Sequence, residues 1–249
     1  MKINKFITLT ALLCVMNAGN ALAEESMKLI GAGVLVSTSA YHGIDAKTLV
    51  APLIVWDYKN FYIKGVEAGY HFYDTRALRL SVVTAPRFMG YHSDDSAALN
   101  GMADREYSWD AGLSAEISLP WEGAFLDMKI VNDVLSRNRG REAQVKLAKE
   151  FKGSFFELTP SAGVRWQSKE MTDYYYGVKA NEAQAGREEY VPGSALNYFS
   201  GLMFNFGISK DWIVVTKAEV EALSDRIRKS PIVGEDYTVT AVIGLARKF

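Results

Sequence analysis

Three histidines, His42, His71 and His92, are the side chains best suited to acid–base or metal chemistry in this 249-residue chain. They stand 29 and 21 positions apart, whereas metal centres favour closely spaced nitrogen and sulfur ligands. His92 is followed by Ser93, Asp94 and Asp95, and a hydroxyl beside a base and an acid could build a hydrolytic set. The same stretch also reads as a polar external loop. None of these residues is therefore expected to be catalytic, cofactor-binding or metal-ligating. A second group, Arg137, Arg139 and Arg141, has the fork geometry that suits phosphate, as on lipopolysaccharide; the alternative is a solvated loop. A third is aromatic: Tyr174, Tyr175, Tyr176 and Tyr190 fall in one long link, 168–193. Such links are functional or disordered, and this one either packs as a plug or faces a partner. Charges of mixed sign recur at alternate positions: Glu106, Asp110, Glu116, Asp127, Lys129, Glu157, Arg165, Lys217, Glu219 and Glu221.

Alternation points to the elements that carry these groups. From Tyr107 to Leu119, Trp109, Ala111, Leu113, Ala115 and Ile117 share one face, while Asp110, Gly112, Ser114 and Glu116 share the other. That period of two is a strand with one apolar and one polar side. If it runs from 105 to 119 it is near 45 Å long at about 3.3 Å per residue, beyond ordinary soluble strands and right for a tilted membrane strand. Similar patterns fall at 28–37, 47–56, 60–73, 77–91, 124–134, 142–150, 155–167, 195–207, 212–222 and 236–249, with no helical period of useful length. Short turns at 120–123, 152–154 and 209–211 alternate with long polar links at 92–104, 136–141, 168–193 and 225–235. This is the plan of an antiparallel transmembrane β-barrel, all-β, with periplasmic turns and external loops. Eleven segments conflict with the even number expected. Residues 56–76 can hold extra turns, so the expectation is 12 strands, with 10 the alternative.

The ends agree. Lys2 and Lys5, an apolar stretch and Ala21-Leu22-Ala23 make 1–23 a secretory signal cut between Ala23 and Glu24, leaving 24–249 as the barrel. Cys14 is the only cysteine, so the exported chain has no disulfide. The formal net charge is −1 and gives no basic surplus for nucleic acid. The last strand places Ala241, Ile243, Leu245 and Phe249 on one face. Pairing with the first strand removes the open edge, and a terminal aromatic suits the interface girdle.

These stretches resemble one family of outer-membrane proteins, described as MltA-interacting protein (MipA) or OmpV. The resemblance rests on Gly31-Ala32-Gly33-Val34, Tyr41, Gly43, Pro52 and Leu99 to Arg105, including Gly101, Met102 and Asp104. It continues in Tyr175-Tyr176-Gly177-Val178, Glu182, Ala183, Arg187, Tyr190, Pro192 and Phe249. It implies an outer-membrane barrel in contact with lipid and lipopolysaccharide, without catalytic residues or cofactors. It also implies a scaffold linking a murein-degrading lytic transglycosylase to a penicillin-binding protein, with a channel or an adhesin as the other readings. The closing strand further resembles the signal read by the barrel assembly machinery.

Overall fold

The computed structural model describes residues 28–249, so the expected signal and its Ala23–Glu24 cleavage site lie outside the described residues. Twelve antiparallel strands close on themselves. They are β1 Lys28–Ser37, β2 Lys47–Tyr58, β3 Phe61–Lys64, β4 Glu67–Asp74, β5 Leu78–Arg87 and β6 Ser108–Ser118. They continue with β7 Ala124–Asp133, β8 Arg141–Lys149, β9 Phe156–Gln167, β10 Ala195–Gly207, β11 Trp212–Ala222 and β12 Tyr237–Lys248. After Glu150, Phe151–Lys152 continues β8 along β9. Closure runs from Leu29 opposite Lys248 to Ser37 opposite Thr240. Phe249 N donates to Lys28 O at 3.0 Å, which fastens the last residue.

The segment read as one strand over 60–73 is two. A tight turn at Lys59, whose φ is +54°, ends β2, and Gly65 at φ +64° separates β3 from β4. The long strand read over 105–119 is shorter. Ladder pairing with β5 begins at Ser108, and Arg105 instead bridges Tyr91 in the loop above. Two short helices escaped the reading of an all-strand chain: α1 Lys169–Tyr176 and the single turn α2 Asp225–Arg228. In α1 the fully buried Met171 and Tyr175 lie one turn apart, a signal too brief to register as a helical period.

Exposure follows the pleat. Leu113 is 51 % exposed on the outer face, while its neighbour Ser114 lines the interior cavity. Ile30, Val50, Ile130, Leu147 and Ile243 join Leu113 in an exposed apolar belt, the surface that a barrel turns to lipid. Trp121, Phe155, Trp212 and Phe249 are exposed near the short-turn end. Tyr107, Trp109, Tyr198 and Tyr237 are exposed near the long-loop end. These are the two aromatic girdles that interfaces select.

Gly33 and Gly244 face each other across the closing pair. A Cβ on Gly244 would lie 2.3 Å from Leu53 Cδ1, and one on Gly31 would lie 2.1 Å from Leu245 O. The first glycine motif therefore lets Leu53 pack over the closing seam.

Candidate functional site

Strand pleating gathers the charged face of β4–β9 and β11 around a cavity of about 780 Å³. Charges removed from bulk water must be paired, and most of these form ion pairs. Arg87 reaches Asp110 at 2.5 Å and Glu142 at 3.0 Å. Arg165 contacts Glu142 at 3.8 Å, Glu219 at 3.2 Å and Glu221, and lies over the Phe199 ring at 4.9 Å. Lys129 holds Glu67 at 3.1 Å, and Tyr62 donates to the same carboxylate at 3.1 Å. Lys146 stands 3.7 Å from Asp127. The wall built by β1, β2 and β10–β12 is different: Leu29, Leu53, Val55, Met203, Val215 and Ala246 form one apolar cluster, and Leu35, Ala51 and Val242 another. Of this wall Leu35, Leu49, Leu202 and Met203 reach the cavity and give it an apolar strip beside the charged face.

Of the expected lumenal charges, Asp110, Glu116, Asp127, Lys129, Arg165, Lys217, Glu219 and Glu221 line the cavity. Glu106 and Glu157 do not. Glu106 lies in the loop before β6, half exposed, paired with Arg137 at 2.6 Å. Arg87, Glu142, Glu67, Arg79, Lys64 and Lys146 also line the cavity and escaped the sequence reading. Arg79 and Arg87 alternate with Leu78, Leu80 and Val82, so their face was legible from the same period.

Above the cavity the long links fold into a lid. Tyr41, Tyr91, Leu99, Met102, Met171, Tyr175, Val178, Ile227 and Ile232 form one buried cluster drawn from four separate links. Tyr41 Oη donates to Tyr175 O at 3.1 Å, and Ser230 Oγ to Tyr176 O at 2.6 Å. Tyr41 and Tyr91 stack edge to face at 4.7 Å. Tyr41 and Tyr176 also line the cavity, as its ceiling. The tyrosine-rich link is thus a packed plug. Burial pushes the Tyr91 and Tyr176 phenols up to about 12, so they act as neutral ring and hydroxyl groups.

An ion pair secures the lid. Arg105 and Glu182 side chains are 2 % and 3 % exposed and meet at 2.8 Å. Arg105 also donates to Tyr174 O at 2.6 Å and Ala103 O at 2.7 Å. Burial alone would raise the Glu182 carboxyl. Hydrogen bonds from Arg105, Lys179 N and Ala103 N outweigh it and hold the group below the usual carboxylate range. Arg187 donates to Ala98 O at 2.7 Å, Asn100 O at 3.0 Å and Glu182 O at 2.8 Å. Gly101 takes φ +81° in the turn that Arg187 clasps. Val178 and Tyr190 bridge, and Tyr190 Oη reaches Arg226 O at 2.8 Å. Pro192 O accepts from Arg226 at 3.3 Å.

The histidines do not meet. His71 bonds Ser81 Oγ at 2.7 Å inside the barrel and stacks on Tyr62 at 4.6 Å. His42 N donates to Ile232 O at 3.0 Å. His92 Nδ1 lies 3.2 Å from Asp104, which also accepts from Ser93 N at 2.7 Å. That carboxylate organises a turn through the serine's backbone. No cluster of three or more metal-binding side chains occurs among the described residues.

The family model of the MltA-interacting protein MipA matches residues 30–249. The chain belongs to the MipA family. It is 27 % identical to the MltA-interacting protein of Escherichia coli K12 over 94 % of both chains. It is 26 % identical to the outer membrane protein OmpV of Vibrio cholerae over 93 % of both. Among solved structures, the translocator domain of the autotransporter NalP from Neisseria meningitidis superposes with a TM-score of 0.53 at 10 % identity, covering 91 % of this chain and 90 % of that one. This MipA-family protein is a β-barrel of the outer membrane.

Proposed function

We propose that the barrel is a non-enzymatic interaction protein that docks a periplasmic murein-processing enzyme, a lytic transglycosylase, and through it a penicillin-binding protein. The observation that carries this reading is end-to-end likeness to a protein named for interacting with MltA. The lid supports it indirectly, because its aromatic residues are spent on packing and offer little to an external ligand. The periplasmic rim carries the docking surface: the turns at Lys59–Asn60, 119–123, 153–155 and 208–211, with the chain preceding β1. A standard contact needs about 800 Å² per partner, so several turns must act together. Photo-crosslinkers at Asn60, Glu122 and Lys210 should capture a murein enzyme in living cells, whereas one at Gly186 in the lid should not. Capture from Gly186 alone would refute periplasmic docking.

The same proposal has the barrel assembly machinery reading Ala241, Ile243, Leu245 and Phe249, and the outer rim, including Arg139 and Arg141, meeting lipopolysaccharide phosphate. A second reading, a small channel, is favoured by the charged cavity and is tested by conductance of the refolded barrel in planar bilayers.

A further inference from the structure

The barrel wall is incomplete on one side. Strand β2 pairs with β1 along its length, from Lys47 to Trp56, but β3 pairs with β2 only from Val55 to Tyr58. Gly65 N donates to Ile54 O at 2.7 Å, and the β3–β4 hairpin stops there. On the far side β4 pairs with β5 only as far as Thr84, so Ala85, Pro86 and Arg87 have β6 on one edge and no strand on the other. Seven residues of β2, Lys47–Leu53, likewise have an unpaired edge, about 23 Å of strand. Two strands are missing at this height, so β2 and β5 stand up to roughly 14 Å apart at about 4.8 Å per spacing. Above, the gap is bridged by Lys47 and Asp95 at 3.9 Å, and Gly43 packs against Ser96. The result is a framed opening whose sill is the hairpin and whose lintel is the lid.

Both jambs are built to stay open. Ile54 turns its carbonyl to the hairpin, so alternation along a strand turns Pro52, Val50 and Thr48 the same way. Thr75 N donates to Leu78 O at 2.9 Å across the β4–β5 turn, so Leu78, Leu80, Val82 and Thr84 turn their backbone groups toward β4 and Pro86, beyond the end of that pairing, turns toward the gap. Each jamb therefore carries a proline whose missing N–H points into the opening, which blunts strand addition. The opening lies within the apolar belt, since Val50 beside it is 70 % exposed. Bare backbone groups at Thr48 and Val50 cannot face hydrocarbon without a cost of several kcal/mol each. Water or a polar head group from the lumen must meet them. The cavity lining includes both jambs, Lys47–Leu49 and Thr84–Gly90, so cavity and opening are continuous.

We propose that this opening is a lateral window through which an anionic single-chain amphiphile passes between the membrane and the lumen. Charge selects the head group. Arg87, Lys129, Lys146, Arg165 and Lys217 are engaged with carboxylates. Lys64, at the sill, has no ion pair among the described residues and lies 5.1 Å from the Tyr62 ring. Lys47, at the lintel, is half exposed with one partner at 3.9 Å. Lys64 also lies near the carboxylates of Asp57, Glu67 and Glu116 without closing an ion pair on any of them, so an ammonium group stands at each end of the window. The apolar inner face of β1 and β2, with Leu35, Leu49 and Ala51 beside the opening, receives the chain. The cavity lies within the roughly 300–1,000 Å³ that bury a small ligand. The lid packs over the outer end, and the window supplies a route from the membrane side.

The test uses the refolded barrel in nanodiscs of zwitterionic lipid, with three diazirine-bearing probes: palmitate, lysophosphatidylglycerol and the neutral monopalmitoylglycerol. The two anionic probes should crosslink to 47–54 and 84–90, saturably and in competition with unlabelled anionic amphiphile. Whichever saturates at lower concentration identifies carboxylate or phosphate as the preferred head. Lys64→Glu should weaken anionic labelling at least tenfold and leave neutral labelling unchanged, and Val50→Trp, which crowds the opening from the lipid side, should reduce it without loss of heat-modifiable migration. Labelling spread evenly around the belt, equal labelling by the neutral probe, or an unaltered Lys64→Glu profile would each overturn the window. Retention of the murein-enzyme crosslinks in Val50→Trp separates this inference from the docking proposal.

Discussion

Glu182→Ala should open the lid and leave the barrel standing. The substitution strips Arg105 of its carboxylate while the guanidinium stays 2 % exposed, and it orphans the N–H groups of Ala103 and Lys179. Breaking a buried pair from one side costs about 3–5 kcal/mol. At 1.4 kcal/mol per tenfold change, the open lid population should rise by roughly 10²–10⁴. The strands share no hydrogen bond with Glu182, so the loss is local. The assay is trypsin cleavage of folded protein in detergent, followed at Arg187, which is buried in the closed lid. Cleavage should accelerate by that factor while unboiled protein keeps its fast gel migration. Glu182→Gln with Arg105→Met retains an acceptor, removes both charges and should recover most of the protection. Cleavage at Arg187 within threefold of the parent, or parallel loss of heat-modifiability, would refute a separately stabilised lid.

Leu113→Arg should cripple folding into bilayers, since an arginine at the lipid-facing midplane costs about 2–4 kcal/mol; Ser114→Arg, aimed into the cavity, should be better tolerated, and equal folding yields would count against the faces assigned to β6. Phe249→Ala should lower outer-membrane abundance at unchanged synthesis, measured by fractionation and blotting, and an unaltered level would sink the role given to the terminal ring. Acid should loosen the lid: Glu182 has a depressed folded value, so its contribution is complete above the unfolded value of about 4.3 and is lost as pH falls through the lower folded one. The protection of the Lys179 and Ala103 amides, taken relative to intrinsic exchange at each pH, should therefore stay flat from pH 8 to about pH 5 and fall only below the ordinary carboxylate range; a fall beginning near pH 6 would contradict the assignment.

The barrel was legible because its cause is local. In β6, Leu113 and Ser114 are neighbours with opposite fates, and a period of two registers that directly. Even the extra turns at Lys59 and Gly65 left a mark, since both take positive φ at positions where an uninterrupted strand would clash with the even strand count. The lid was less legible. Arg105 and Glu182 stood out as parts of a family pattern, but nothing in their types or their distance apart announces a buried ion pair. Glu106 shows the opposite failure: alternation assigned it to the lumen, yet the ladder begins two residues later and it turns outward to Arg137.

Sequence alone determined the strand faces, the alternation of short turns with long links and the apolar belt, because each depends on neighbours along one chain. Tertiary structure decided which charges pair across the lumen, for Arg165 meets Glu142, Glu219 and Glu221 only when β8, β9 and β11 curve around one cavity. It also decided the window. Pro52 and Pro86 look like two unrelated strand prolines until closure places them on facing jambs, and whether a missing N–H is harmless depends on which edge has lost its neighbour. Edge pairing is a relation between distant segments, so it is fixed by barrel register and by the height at which the β3–β4 hairpin stops.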